Sequence, residues 1–208
     1  AEIARRGGGI LNSADRLHEL GEDELYLQAM KRVSEIIRKG TGCVEIKSGY
    51  GLNTEDELKM LRVIRRIKAT TPLKVVSTFL GAHAVPRSYK DRQEEYVDMI
   101  VNDMIPAVGT EKLADFIDVF CDTGFFTPEE TARILEAGAA YGMQPKIHAD
   151  ELASSGGVEV GVEYNALSVD HLESMVEAEI QLLKDSHTIP TALPGTSFFL
   201  NMPFAPGR

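Results

Sequence analysis

The sequence predicts an α/β fold built on parallel strands, and three observations carry that reading. Segments with helical spacing alternate strictly with short apolar segments from about residue 22 onward. Several of the apolar segments are continuous rather than alternating, as strands buried on both faces are. Polar residues of reactive type follow nearly every one: Tyr50, His83, Asp122, His148 with Glu151, and His171. An open doubly wound sheet gathers its ligand contacts at a switch point. A (β/α)8 barrel brings the ends of all its strands to one face. The distribution favours the barrel, of which about six of eight βα units can be counted.

The units run in order. Residues 22–39 keep Leu25, Ala29, Val33, Ile36 and Ile37 at helical spacing before Gly40. A strand at 43–47 follows, then a helix capped by Asn53-Thr54 with Leu58, Leu61, Ile64 and Ile67 on one face. Strand 73–80 precedes a helix over 92–108, and strand 116–120 precedes a helix over 127–141. In that helix Thr127 caps, Pro128 takes the first turn and Glu129-Glu130 oppose the dipole. Strand 145–148 leads through Ser155-Gly-Gly157 to a short helix near 158–164. Strand 167–170, a helix over 175–184 and strand 188–193 complete the series. The first 20 residues, with Gly7-Gly-Gly9, read as irregular. No linker, low-complexity boundary or solenoid repeat interrupts the units.

Composition excludes several function classes. A chain of 208 residues, 43% hydrophobic, supports a sizeable core. A formal charge of -10 opposes nucleic-acid binding, which needs basic clusters. No apolar run is long enough to span a bilayer. Cys43 and Cys121 match no paired spacing, so neither a disulfide framework nor a thiolate zinc site is expected. The start, which lacks both an initiator methionine and a signal-peptide core, reads as that of an excised piece of a cytoplasmic protein.

Three of the five histidines sit at the ends of successive strands: His83, His148 and His171. Imidazole is the commonest metal ligand and a near-neutral acid or base. Glu151 lies three residues after His148, and a hydrolase needs a carboxylate beside metal-bound water to take its proton. Metal-assisted hydrolysis is the expected chemistry. Spacing alone also fits a core histidine beside a solvated Asp150-Glu151 pair opening a helix, and turn histidines at 83 and 171. Tyr50, between Gly49 and Gly51, reads either as a phenol presented to a ligand or as ordinary loop packing. Glu45 and Lys47 either line a polar interior or pair with each other. His18 and His187 receive no role, Cys121 reads as a buried thiol, and the absence of a Gly-x-Ser-x-Gly elbow weighs against a serine hydrolase.

Taken together, these segments resemble the imidazolonepropionase family of the amidohydrolase superfamily. The matching stretches begin at Glu2, Glu45, Phe79, Ile117, Ile147, Asp170 and Thr191, in the family's order along the whole chain. The resemblance implies a metal-dependent barrel with a small β-rich domain, opening the ring of 4-imidazolone-5-propanoate with water to give N-formimidoyl-L-glutamate in histidine degradation. It makes His148 a ligand of one zinc or iron ion and Glu151 a carboxylate that contacts substrate and shuttles a proton. Tyr50 and His83 become substrate-binding residues, and His171 the histidine near the metal-bound water. The family's His-x-His pair, its last-strand aspartate ligand and a substrate-binding arginine have no counterpart here. Residues 1–208 are therefore expected to be strands two to seven of the barrel, without the small β domain, and inactive alone. The partner is a small molecule, with no nucleic acid or membrane, and the intact protein is expected to be a homodimer. The rivals are a purine or pyrimidine deaminase of the same superfamily and a non-enzymatic α/β binding module.

Overall fold

A computed structural model describes residues 9–206. The chain forms two compact units, divided between Phe116 and Ile117. In the first, helices α1 (Ile10–His18) and α2 (Glu22–Arg38) precede strand β1 (Cys43–Lys47), helix α3 (Thr54–Thr70) and strand β2 (Lys74–Ala82). Strands β1 and β2 pair in parallel, from Cys43 opposite Lys74 to Lys47 opposite Thr78. A helical stretch closes the unit: α4 (Gln93–Met99), a π turn at Ile100–Met104 and α5 (Ile105–Thr110). Its core gathers Leu61, Ile64 and Ile67 of α3, Phe79 and Leu80 of β2, and Tyr96, Ile100, Met104 and Ile105. Each such side chain, taken fully out of water, stabilises the fold by roughly 1.5–3 kcal/mol.

The second unit contains strand β3 (Phe116–Cys121) from Ile117 onward, with β4 (Gln144–Ala149), β5 (Ser168–His171) and β6 (Ile189–Ala192), adjacent in that order. Strand β5 is parallel to both neighbours, with His148 opposite Asp170 and Ala149 opposite His171 on one side. Helices α6 (Pro128–Ala139), α7 (Gly157–Glu163), α8 (Glu177–Lys184) and α9 (Pro194–Leu200) connect or follow them. Ile117, Val119, Ile134, Leu135, Ile147, Val158 and Val169 are fully enclosed. Strand β6 is different: Ile189 is exposed, as are Phe198, Phe199 and Phe204 after it.

The strict alternation of strand and helix is borne out, and so are the caps. Asn53 Oδ1 accepts the Asp56 N–H at 2.9 Å. Thr127 and Glu130 form a reciprocal capping box. Three expectations are corrected. Residues 10–18 are helical, because Leu11, Ala14 and Leu17 share one face and the last two are buried. The irregular start expected for residues 1–8, including Gly7 and Gly8, lies outside the described residues. The helix expected over 92–108 carries a π turn. Pro106 has no N–H to give the preceding turn, and the wider turn relieves its ring from the carbonyl four residues back. Finally, Pro194–Leu200 forms a helix that the sequence reading left out. No helix among the described residues is long and apolar enough to cross a membrane.

Candidate active site

The candidate site residues Tyr50, His83, His148, Glu151 and His171 lie at or just beyond the C-terminal ends of strands. In the first unit, Tyr50 lies three residues beyond β1 and His83 directly beyond β2. Their rings meet edge to face, with centroids 5.0 Å apart and planes at 82°. The His83 Nδ1–H donates to the Gly49 carbonyl at 2.9 Å, which leaves Nε2 as the nitrogen carrying the lone pair in the neutral ring. Gly49 takes φ +107°, a left-handed conformation suited to glycine. Ser48 Oγ accepts the Leu80 N–H at 3.0 Å, tying the two strand ends together. Tyr96 Oη donates to the Gly81 carbonyl at 2.8 Å, just before His83. Tyr50 is about one-third exposed, at 36%, and partial burial raises its phenol above the usual range. Below this loop, Glu45 Oε1 accepts the Thr78 hydroxyl and lies 3.8 Å from Lys47 Nζ. Of the two readings open for Glu45 and Lys47, mutual pairing is the one observed.

The carboxylate of Glu57 organises the Tyr50 loop from beneath. It is fully buried and accepts N–H groups from Gly49, Gly51 and Leu52 at 2.7–3.2 Å. Burial raises its carboxyl, against the opposing pull of the Ser48 hydroxyl and those backbone donors.

In the second unit, His148 Nδ1 lies 2.9 Å from Asp118 Oδ1. Asp118 is 1% exposed in the middle of β3. A buried carboxylate at Nδ1 fixes the proton there and directs the lone pair to Nε2, the arrangement that supports metal-ligating histidines. The His148 and His171 rings stand 5.3 Å apart between centroids. His171 is set between two carboxylates: Nε2 is 3.6 Å from Glu151 Oε2, and Nδ1 is 3.5 Å from Glu173 Oε2. Glu173 in turn accepts the Ser197 hydroxyl at 2.7 Å. Burial, followed by the neighbouring charge of Glu173, raises the Glu151 carboxyl, while His148 draws it down.

Backbone conformation enforces this placement. His171 and Leu172 have φ of 90° and 69°. Such angles in non-glycine residues cost on the order of 1–3 kcal/mol each. The strained turn is pinned by the Leu172 N–H on the Ala149 carbonyl and the Ser174 N–H on the Asp150 carbonyl. Asp122, beyond β3, accepts the Leu152 N–H at 2.9 Å and holds the segment after His148.

The bland reading of residues 150–151 fails. Asp150 is fully buried rather than solvated, and the next helix starts only at Gly157. Burial and the nearby Glu179 push the Asp150 carboxyl up to about 7. Cys121 is a buried thiol as expected, pushed up to about 11 chiefly by burial. Iodoacetamide at about pH 8 is therefore expected to alkylate exposed Cys43 and spare Cys121 in the native protein. Equal labelling of both by peptide mapping would contradict the enclosed thiol.

His148, backed by Asp118, has the donor chemistry of a ligand. Among the described residues no group of three or more His, Cys, Asp or Glu side chains could hold an ion. Sequence reasoning singled out Tyr50, His83, His148, Glu151 and His171 as candidates, and passed over the residues that hold them, Asp118, Glu57 and Glu173. A lone aspartate inside the apolar run 116–121 was the available signal for Asp118.

Comparison with known proteins gives this geometry a context. Imidazolonepropionase from Flavobacterium johnsoniae is 52% identical over 207 residues, spanning all of this chain and half of the relative. The chain is a homologue of the imidazolonepropionases. The enzyme of that name from Flavobacterium psychrophilum is 51% identical, and that from Thermoanaerobacter pseudethanolicus 44%. The chain spans about half the length of these imidazolonepropionases. No protein-family model matches it. Among solved structures, 5-methylcytosine deaminase from Klebsiella pneumoniae superposes with a TM-score of 0.68 at 14% identity, covering 92% of this chain and 49% of its own. Adenine deaminase from Arthrobacter aurescens gives 0.60 at 11% identity, covering 82% of this chain and 52% of its own. At such identities the likeness establishes a shared fold and carries no chemistry.

Proposed function

We propose that this chain supplies strands two to seven of a metal-dependent (β/α)8 hydrolase that opens 4-imidazolone-5-propanoate with water, giving N-formimidoyl-L-glutamate. The observation that carries the reading is the imidazolonepropionase identity of 44–52% spanning the whole chain. The pairing of His148 with Asp118 and of His171 with Glu151 supports it. His148 would be one ligand of a zinc or iron ion, the others lying outside this chain. When bound, that metal would supply a water acidified toward neutral pH.

The chain's own residues divide the remaining work. Tyr50 and His83 bind and orient the substrate, the phenol and imidazole meeting its polar edge. Glu151, whose raised carboxyl is readier to hold a proton, contacts the substrate and moves a proton between water and the ring nitrogen released. His171, held at both nitrogens by carboxylates, polarises the reacting group. Glu173, supported by Ser197, positions His171.

The test is a substrate comparison with the complete enzyme that carries this chain. Loss of imidazolone absorbance with stoichiometric formation of the formimidoyl product is expected, with no ammonia released from cytosine or adenine. Ammonia release without ring opening would reverse the assignment in favour of a deaminase.

A further inference from the structure

We propose that Glu57 is a positioning residue for the substrate-binding pair, acting as a buried anion that moulds the loop from Ser48 to Leu52 around Tyr50 and His83. The proposal rests on the reading of Tyr50 and His83 as substrate contacts. Its structural part stands without that reading.

The argument begins with the side chain's partners. Glu57 lies in the first turns of α3, fully buried, and its carboxylate is the common acceptor for the loop. Oε1 accepts N–H groups from Gly51 at 2.7 Å, Leu52 at 3.0 Å and Gly49 at 3.2 Å, and Oε2 accepts from Gly49 at 3.0 Å. Gly49 and Gly51 flank Tyr50 on either side. The carbonyl of Gly49 is also the acceptor for His83 Nδ1–H. One carboxylate thus fixes the peptide that orients the imidazole and both peptides that bracket the phenol. Converging backbone N–H groups form an anion-binding concavity, here filled by the protein's own side chain.

An amide cannot replace the carboxylate. A carboxylate has two oxygens with about four acceptor sites, all usable here by donors. Glutamine keeps one oxygen and turns a donating NH2 toward the Gly49 N–H. Removing an acceptor from buried donors costs their full desolvation. A purely space-filling role would tolerate glutamine, which has nearly the same shape.

The test reads the geometry directly, on the 208-residue chain labelled with 15N-histidine. His83 is assigned from the spectrum of His83→Gln, and the solvent exchange of its Nδ1–H is measured. In Glu57→Gln, exchange is expected to accelerate on the order of tenfold, the effect of losing about one hydrogen bond, with circular dichroism unchanged. Exchange unchanged within twofold would overturn the proposal. If Glu57→Gln fails to fold, Glu57→Asp is read the same way, since it keeps the charge but draws it back by one methylene. In Glu57→Ala, added acetate is expected to restore slow exchange by occupying the vacated anion site, and no response to acetate counts against the proposal. In a separate arm, binding of imidazole-4-propionate to the complete enzyme that carries this chain is measured. If the wild-type enzyme binds this probe and Glu57→Gln binds it equally well, positioning is refuted. If the wild-type enzyme does not bind it, the functional reading fails while the exchange result still decides the role of Glu57.

Discussion

Asp118→Asn is expected to lower kcat/KM of the complete enzyme by about 10–100-fold and to reduce its bound metal, the usual cost of losing an outer-shell partner. The cause lies in one contact. Asp118 Oδ1 stands 2.9 Å from His148 Nδ1, and the carboxylate is enclosed in β3. A negative charge there makes the imidazole a stronger donor at Nε2 and allows only one tautomer. Asparagine can offer its oxygen to Nδ1–H but not the charge, and its NH2, if turned inward, drives the proton to the wrong nitrogen. His148→Ala removes the proposed ligand itself and is expected to abolish metal binding. The two variants separate the roles: Asp118→Asn should regain activity in excess metal, and His148→Ala should not. Elemental analysis of the purified proteins, beside kcat/KM at several metal concentrations, reads both. Full metal content and activity in Asp118→Asn would show that the pair is structural only.

The sequence made the strand ends legible because a strand's last residues carry a local mark, an apolar run followed by a reactive side chain. His83, His148 and His171 stand out for that reason. What was not legible depends on partners far away along the chain. Asp118 looks like one polar residue in an apolar strand until β4 brings His148 to it from 30 positions away. Glu57 is one of three acids at a helix start, beside Glu55 and Asp56, and resembles a charge opposing the dipole. Only the return of the loop from β1 shows that its face is buried. Glu173 owes its role to the positive φ of His171 and Leu172, which turns the chain back on β4, and no propensity rule anticipates that in a histidine or leucine. The missed helix at 10–18 has a different cause, since the glycines before it masked a regular apolar face. The candidate groups were thus written locally, and the means of holding them was not.

Gly51→Ala is expected to destabilise the protein at or beyond the overpacking range of about 1–3 kcal/mol, a fall in Tm of roughly 2–4 °C per kcal/mol for a chain of this size. A Cβ at this position would lie 2.4 Å from the Glu57 nitrogen and 2.6 Å from the Asp56 carbonyl carbon. Both are backbone atoms of α3, so no flexible side chain can yield, and relief must come from moving the loop. That movement breaks the 2.7 Å bond from the Gly51 N–H to Glu57. It thereby exposes a buried carboxylate to the loss of a donor, so the steric and electrostatic costs add. Tyr50, the preceding residue, moves with it, and KM of the complete enzyme should rise more than kcat falls if this group binds substrate as proposed. Gly42→Ala provides the control. Its added Cβ meets nothing within 4 Å and its φ lies outside the left-handed region, so its stability should stay within about 0.5 kcal/mol of the parent. Calorimetry of the two variants settles the matter. Equal melting temperatures would mean that the loop around Tyr50 is looser than the carboxylate cradle implies, and the positioning role of Glu57 would weaken with it.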